Sequence, residues 1–396
     1  MAITIKTNTT LAIEEETTDG TYVAPAGASS FLQTLSDGLE ITPSKELLER
    51  SVYAGTIGKV TPRTGMKSVA GSIPVECRPF STEGSSPEFD KLIKSALGTS
   101  RAAATTTTTK SSGNTATVLQ IEDADISKFT VGDIILVKQS GAYHVSPITA
   151  ISSGTGTATI TLLVAHPSGD HTDSVVISKF KTYTVAESGH KSLSITKYVD
   201  SAITEKAIGC KITSMSLEGF STGQIPSFNF GFEGLTFDRL VGAPSYTPSY
   251  DTALPPIALG AKLYQDGTAI TDVNELTLSI ENTLGFATSF SSSNGKISSR
   301  VISRTLTGSF NPYKPSDSVD NYTKFLNNTQ FSLFAYMKND TSTSGQFENI
   351  VAIYLPNVII TEIGETDKDG NLQDTLTFSA SRGTSGTTNE IYISFI

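Results

Sequence analysis

The chain has 396 residues, a formal net charge of −10, two cysteines and no tryptophan, and 17% of its residues are charged. Acidic residues are spread along it without clusters of lysine and arginine, which argues against a protein that grips nucleic acid by its phosphates. No segment approaches the roughly 20 apolar residues that span a bilayer, and the first residues lack the apolar core of a signal peptide, so we expect no membrane association.

Abundant threonine, serine and β-branched residues favour strands over helices, and we predict an all-β fold. Residues 1–38 are broken by turn signals and predict an N-terminal arm. Beyond them, strands are predicted at Glu46–Val52 and Ser68–Arg78, on either side of a polar loop at Tyr53–Lys67. Cys77 lies in an apolar-alternating run, as does Cys210, so both are expected to be free and buried.

A short one-faced helix is predicted next, with Ser86 as its N-cap, Pro87 in the first turn and Gly98 just beyond its end. Residues 101–183 then begin with a threonine-rich linker and continue as short β segments, which predict a small inserted β-barrel-like module.

All four histidines lie in or beside this module, and we predict that they are exposed loop residues: His144, His166, His171 and His190. A structural zinc site usually has four ligands including cysteine, and neither cysteine lies nearby. We therefore expect no metal and no other cofactor.

The predicted first domain, at 39–100 and 184–243, is discontinuous around the module, and it ends with a hairpin formed by Lys211–Glu218 and Ile225–Gly234. A proline-rich linker at 244–256 leads to a predicted second domain at 257–396.

The second domain repeats the order of elements: a long polar loop at Asn282–Val301, a short helix at Ser318–Asn328, and a hairpin around Asp369-Gly370. The segment Ala70-Gly71-Ser72-Ile73 corresponds to Thr307-Gly308-Ser309-Phe310. We interpret this order as an internal duplication; the alternative is two unrelated β-domains.

Several segments of the first half follow one another in a recognisable order: the run Leu39–Arg50, the basic loop to Lys67, Ala70-Gly71-Ser72, the Ser86–Gly98 helix, and the hairpin around Gly209–Leu217 and Gly223–Ser227. In this order they resemble the tail tube (major tail) proteins of long-tailed bacteriophages of the siphophage type. The resemblance implies two tandem β-sandwich domains, each with a short flanking helix, that form the wall of a hollow tube. It covers most of the chain except about residues 100–183.

The resemblance also implies partners. The duplication suggests homotrimeric, pseudo-hexameric rings, with homohexameric rings as the alternative. Other tail proteins, such as the tape measure and the tail terminator, would bind the tube. The protein would be assembled in the host cytoplasm and reside in the virion tail, where double-stranded DNA would pass without specific binding.

Alternation along the proposed inner strands separates an apolar face from a small, polar and acidic face. We expect the following acidic residues to line the lumen: Glu49, Glu76, Glu218, Glu233 and Glu281. The two long loops are expected to stack one ring on the next, through Gly55, Lys59, Arg63, Lys67, Asn294, Lys296 and Arg300.

No phosphate-binding loop and no G-x-S-x-G nucleophile motif occurs in the sequence, so we expect no enzyme. The competing hypotheses are a surface-exposed receptor-binding or capsid decoration β-protein and, further behind, a hydrolase without a familiar motif.

Overall fold

The structure is a computed structural model that describes residues 8–53, 55, 58–110, 112–139, 142–314, 319–338, 349–383 and 389–396. Two α-helices, two short 3-10 helices and 24 strands are found in these residues, so the prediction of an all-β fold is confirmed.

The helices are α1 (Asp90–Leu97) and α2 (Val319–Leu326). The strands of the first half are β1 (Thr9–Glu15), β2 (Phe31–Leu32), β3 (Glu40–Leu48), β4 (Arg63–Glu76), β5 (Gly98–Arg101), β6 (Ala104–Thr108), β7 (Val118–Ile121), β8 (Ile134–Gln139), β9 (Ala142–Ser152), β10 (Ala158–Leu162), β11 (Val176–Lys179), β12 (Lys181–Val185), β13 (Leu193–Val199), β14 (Ile203–Glu218), β15 (Ser227–Gly234) and β16 (Thr236–Val241). Those of the second half are β17 (Lys262–Gln265), β18 (Thr268–Ile270), β19 (Val273–Thr288), β20 (Lys296–Pro312), β21 (Phe331–Lys338), β22 (Ile350–Lys368), β23 (Asn371–Ala380) and β24 (Tyr392–Phe395).

Eight of these strands form one curved antiparallel sheet, which we call the inner sheet. Its order is β3-β4-β15-β14-β19-β20-β23-β22. The first four strands come from the first half of the chain and the last four from the second half, and the order is the same in both. The two halves join where β14 pairs with β19.

Matching irregularities show that the two halves are repeats. The pairing of β14 with β15 shifts register between Ile212 and Ser214, and the pairing of β22 with β23 shifts at the corresponding place, between Ile360 and Glu362. Gly71 faces Phe232 across the strands, as Gly308 faces Phe378. A shared bulge and a shared glycine–phenylalanine pair are specific features of a fold, so they support the duplication more strongly than the order of elements does.

A second layer covers the apolar face of the inner sheet. The long strands β14 and β22 pass from one layer to the other, because their N-terminal halves pair with β13 and β16, and with β21 and β24. Helix α1 buries Leu92, Ile93, Ala96 and Leu97 in a core that is continuous across both repeats. Together the layers form the two β-sandwich units that were predicted.

The inserted module is a separate six-stranded sheet in the order β6-β11-β8-β9-β10-β7. It is curled, since the N–H of Lys110, after β6, donates to the carbonyl of Gln120 on β7 at 2.7 Å. It has its own core around Ile135, Val137 and Ile160. The module also shares a hydrophobic cluster with the second repeat, in which Ile134 and Leu136 lie with residues such as Tyr354 and Tyr392.

Several predicted bounds are wrong. The first strand spans Glu40–Leu48 instead of Glu46–Val52, and the predicted loop at Asn282–Val301 is mostly strand, with only residues 289–295 between β19 and β20. Helix α1 begins at Asp90, so Ser86 does not cap it, whereas Gly98 ends it with a φ of 98° as expected. The second helix begins at Val319; Ser318, its predicted start, lies outside the described residues.

Other expectations have a clear structural outcome. The segment assigned to an N-terminal arm contributes β1, which pairs with β13, and β2, which pairs with β1, and these strands bury Leu11 and Leu32. The hairpin between β22 and β23 turns at Asp369-Gly370, both with positive φ, as predicted. Both cysteines are free and buried, as predicted, and burial raises the pKa of each thiol well above its usual value.

Candidate functional site in the inner sheet

The polar face of the inner sheet is left open to solvent because the second layer and α1 cover the opposite face. Cross-strand partners share a face, so rows of small polar residues can be traced across the strands. One row joins Ser216 to Ser279 and Thr307, and then to Ser379. The surface is therefore rich in hydroxyl groups.

Acidic side chains project from this polar face. Glu281 is exposed and lies in one row with Ser214, Gly231, Ser72 and Glu40. Glu362 is exposed on β22, the edge strand on the opposite side of the sheet from β3, where it lies opposite Thr377. Neither Glu40 nor Glu362 was among the predicted lumen residues. Glu40 lies before the predicted strand Glu46–Val52, whereas β3 begins at Glu40 itself.

Two more of the predicted acidic residues lie together at one end of the sheet. Glu76 and Glu218 both face Ser227 on β15, which lies between them, and the hydroxyl of Ser216 donates to Glu218 at 3.1 Å. We call this end, where β14 turns into β15 and β22 into β23, the turn end.

The remaining two predicted acidic residues are compensated by lysine. Glu233 lies opposite Lys211 on β14, and its carboxylate is 3.7 Å from the Nζ atom of Lys296. Glu49 lies beyond the end of β3, 3.4 Å from the Nζ atom of Lys59, and both side chains are exposed. Their charge is therefore partly neutralised within the chain.

The hairpins β3–β4 and β19–β20 extend to the opposite end of the sheet, which we call the arm end. Of the residues predicted for ring stacking, Gly55 and Lys59 lie in the loop after β3, and Asn294 lies in the turn after β19. The other four lie on the strands β4 and β20: Arg63, Lys67, Lys296 and Arg300.

Asn294 connects the two hairpins at the arm end. The backbone N–H of Lys67 donates to Asn294 Oδ1 at 3.2 Å, and Asn294 Nδ2 donates to the carbonyl of Leu235. Ser299 on β20 also contacts Lys211 on β14. The Lys211 ammonium donates to the Ser299 carbonyl, and its Nζ atom lies 2.9 Å from a carboxylate oxygen of Asp19. The second hairpin is thus held against the first half of the chain.

The inner sheet has two free edges among the described residues. Strand β3 pairs only with β4, and residues 361–368 of β22 pair only with β23. All of β3 from Thr42 onward is exposed. An unpaired edge presents a row of backbone donors and acceptors that another strand can complete.

Three histidines form a buried cluster in the module, so the expectation that they are exposed loop residues is wrong. His144, His166 and His171 are 3–4% exposed, and their ring centroids lie 4.7–5.4 Å apart. His144 lies on β9 opposite Val137, a residue of the module core, and the other two close over it from the loop after β10.

The fourth histidine, His190, is half-buried, with its ring nitrogens 2.9 Å from the Ser95 carbonyl and 3.2 Å from the Ala186 carbonyl. Among the described residues there is no group of three histidine, cysteine or acidic side chains arranged to hold a metal ion. Burial favours the neutral form of His144 and His171.

The buried cluster predicts that the protein loses stability in mild acid. Burial, with the neighbouring histidines, lowers the pKa of His144 to about 3, and burial lowers that of His171 to about 4 despite nearby Asp170. The unfolded chain, with histidine pKa values near 6.5, therefore takes up protons first as the pH falls below about 6.5. Between pH 7 and 5 most carboxylates stay ionised, so the histidines dominate the change.

We expect the melting temperature to fall between pH 7 and pH 5, and to fall less in a variant carrying His144→Asn and His171→Asn. His190→Asn, outside the cluster, is the matched control. Equal slopes for the double variant and the unmodified protein would contradict this explanation.

Neither helix of the described residues is long and apolar enough to cross a membrane. A search among curated proteins gave no significant match. Residues 6–380 match the family whose description is phage tail tube protein.

Proposed function

Because the chain belongs to the phage tail tube protein family and is a structural component of the phage tail, we propose that it closes into rings of three copies that stack into a hollow tube. The observation that carries the proposal is the repeated strand order of the inner sheet. The junction inside the chain, between β14 and β19, provides a template for the junction between chains.

The template pairs β22 of one copy with β3 of the next. Strand β22 corresponds to β14, because both carry the register shift described above. Strand β3 corresponds to β19, because Ile41 opposes Gly71 as Leu278 opposes Gly308. Glu40 and Thr42 of β3 are therefore equivalent to Thr277 and Ser279 of β19. Both strands form the free edges described above. Pairing them satisfies the backbone groups of both edges.

The register of this pairing follows from the intrachain contacts. Within the chain, Ser214 faces Glu281, Met215 faces Ile280, and Ser216 faces Ser279. Applied to the free edges, the same register places Glu362 opposite Ser44, Ile363 opposite Pro43, and Gly364 opposite Thr42 of the next copy. The apolar pair of Met215 and Ile280 thus has an apolar counterpart in Ile363 and Pro43.

Three chains of eight inner strands make a barrel of 24 strands. With strands spaced about 4.8 Å apart and tilted by about 40°, its wall is roughly 50 Å across. A DNA duplex fits inside. The polar face must line this lumen because the apolar face is covered by the second layer.

The chemistry of the polar face suits the passage of DNA. Hydroxyl and carboxylate groups offer no cation to the phosphates, so the duplex gains no counterion-release affinity for the wall. Glu40, Glu281 and Glu362 are the acidic residues that we assign to the lumen wall, since they are exposed on this face. Glu233 and Glu49, in contrast, lie next to lysines. We propose that the wall prevents adhesion and does not drive transport.

We further propose that residues 101–183 form a domain on the outside of the tube. The shared cluster joins the module to β21, β22 and β24, in the layer away from the polar face. This cluster also buries Phe334, Tyr354 and Tyr392, so removal of the module would expose three aromatic side chains. The module therefore supports the second repeat in addition to decorating it.

Disulfide crosslinking tests the ring. Thr42→Cys together with Gly364→Cys places two thiols opposite each other in the proposed interchain register, at a Cα spacing of about 4.5–5.5 Å that a disulfide accepts. Gly364 has room for a side chain, since an added Cβ would lie 3.8 Å from its nearest neighbour. On oxidation, we expect covalent species of up to three chains. The native cysteines are buried and should not react.

Two variants control this experiment. Ser216→Cys with Ser279→Cys reproduces the same geometry inside the chain and should consume both thiols without joining chains. Thr42→Cys with Ile363→Cys places the thiols on opposite faces and should crosslink poorly. A ladder that continues to six chains would contradict three-copy rings, and equal crosslinking of both interchain pairs would contradict the register.

A further inference from the structure

Charge is separated along the axis of the inner sheet. At the arm end, residues 45–67 contain five lysines and arginines and two glutamates, and residues 282–304 contain three lysines and arginines and no acidic residue. At the turn end, eight acidic residues face two lysines. They are Glu76, Glu218, Asp272, Glu275, Glu365, Asp367, Asp369 and Asp374, with Lys314 and Lys368. The two arm-end segments together carry a formal charge of +6, and the ten residues named at the turn end carry −6.

Strand directions establish that these groups lie at opposite ends. Leu276, near the start of β19, donates its N–H to Phe220 in the turn after β14, and Tyr313, after β20, bridges Gln373 near the start of β23. The starts of β19 and β23 therefore lie with the turn after β14. The far tips of β3–β4 and β19–β20 lie at the other end of the same antiparallel sheet.

Many of these charges are not neutralised within the chain. Five exposed cations at the arm end form no ion pair among the described residues: Lys45, Arg50, Arg63, Lys67 and Arg300. Arg304, in contrast, is paired with Glu390 at 2.9 Å. At the turn end, Lys314 forms ion pairs with both Glu365 and Asp374 and so offsets one of their two charges, while Glu218, Asp367 and Asp369 are exposed.

Large apolar side chains are exposed at the same two ends. Tyr53 and Phe290 at the arm end are fully exposed, and Ile225 and Leu372 at the turn end are about half exposed. Exposed apolar residues rimmed by charge are typical of a surface that a protein partner covers. The partner that carries the complementary charge at matching positions is a second copy of this chain.

Resting on the proposed ring, we propose that the arm end of one ring binds the turn end of the next through opposite charge, and that this attraction fixes one polarity for every ring in the tube. Head-to-tail contact places positive hairpins on an acidic rim. Head-to-head contact would place like charges together, three copies on each side. Electrostatic complementarity selects orientation and speeds association in this way.

Salt provides the first test. Between about 0.1 M and about 1 M salt the screening length falls from about 10 Å to about 3 Å, so tubes of the unmodified protein should shorten to single rings, as followed by light scattering and native mass. Ring closure depends on backbone pairing and apolar contacts, so the rings should persist. Tubes of unchanged length across this range would overturn the proposal.

Charge reversal provides the second test and has an outcome that misfolding cannot imitate. The arm variant replaces four exposed cations with glutamate: Arg50, Arg63, Lys67 and Arg300. The turn variant replaces four acidic residues with lysine: Glu218, Asp272, Glu275 and Asp367. Each variant alone has the same sign at both ends, so we expect rings that do not stack and an at least tenfold loss of scattering.

Mixed in equal amounts, the two variants should polymerise, because each ring then meets a complementary end. Single variants that stack as well as the unmodified protein would overturn the charge proposal, as would a mixture of intact rings that fails to polymerise. Rings that do not form even from the unmodified protein would instead count against the proposed function, so the two failures are distinguishable.

Discussion

Tubes in which Glu40, Glu281 and Glu362 are all replaced with lysine are expected to retain duplex DNA that the unmodified tube lets pass. These side chains are exposed on the polar face, so the exchange should change the unfolding free energy by only about 0.5 kcal/mol per site. Three substitutions in three chains add nine cations to each ring. With six or more phosphate contacts, affinity should fall about 10³-fold or more between 50 and 200 mM salt.

Nuclease protection distinguishes DNA held in the lumen from DNA bound outside. The measurement is the fraction of a short duplex that remains bound to purified tubes and intact after nuclease treatment. The matched control replaces the same three residues with glutamine, which removes the negative charges without adding cations, and it should retain no DNA. Lysine tubes that bind no DNA, or bind only nuclease-sensitive DNA, would contradict a lumenal position for these residues.

Gly71→Val and Gly308→Val should each destabilise the protein by about 3 kcal/mol or more. A Cβ atom at Gly71 would overlap the Glu40 carbonyl and the ring of Phe232, and one at Gly308 would overlap the Thr277 carbonyl and the ring of Phe378. Backbone cannot move aside without breaking strand pairing, so overpacking at these sites is severe. The measurement is the midpoint of urea unfolding for each variant.

Gly58→Val is the control for this prediction, because nothing lies within 4 Å of a Cβ at that position. It should unfold at the same urea concentration as the unmodified protein. If Gly71→Val and Gly308→Val also unfolded there, the two glycines would not be packing counterparts, and the equivalence used to derive the interchain register would lose its support.

Short sequence patterns were sufficient to predict several features of the fold. Gly71-Ser72 and Gly308-Ser309 correctly indicated the repeat because a glycine at one place in both halves reflects the same close contact with phenylalanine. The Asp369-Gly370 turn and the end of α1 at Gly98 were also predictable, because positive φ at those positions favours these residues.

Other features could not be read from local pattern. Strand β3 is exposed from Thr42 onward, so it lacks the apolar alternation that identifies a strand, and the hairpin β19–β20 resembles a loop where it extends beyond the core. The cluster of His144, His166 and His171 depends on tertiary contacts between a strand and a distant loop. These features are determined by tertiary contacts within the fold or by the proposed contacts between copies, and not by the local sequence.

We propose above all that three copies close one 24-stranded wall with the polar face inward. Electron cryomicroscopy of assembled tubes tests it most directly, through the symmetry of each ring and the path of the strands. We expect three chains per ring, Glu281 and Glu362 facing the lumen, and β22 beside β3 of the next copy with Glu362 opposite Ser44. Six chains per ring, or an inner sheet whose polar face points outward, would contradict it.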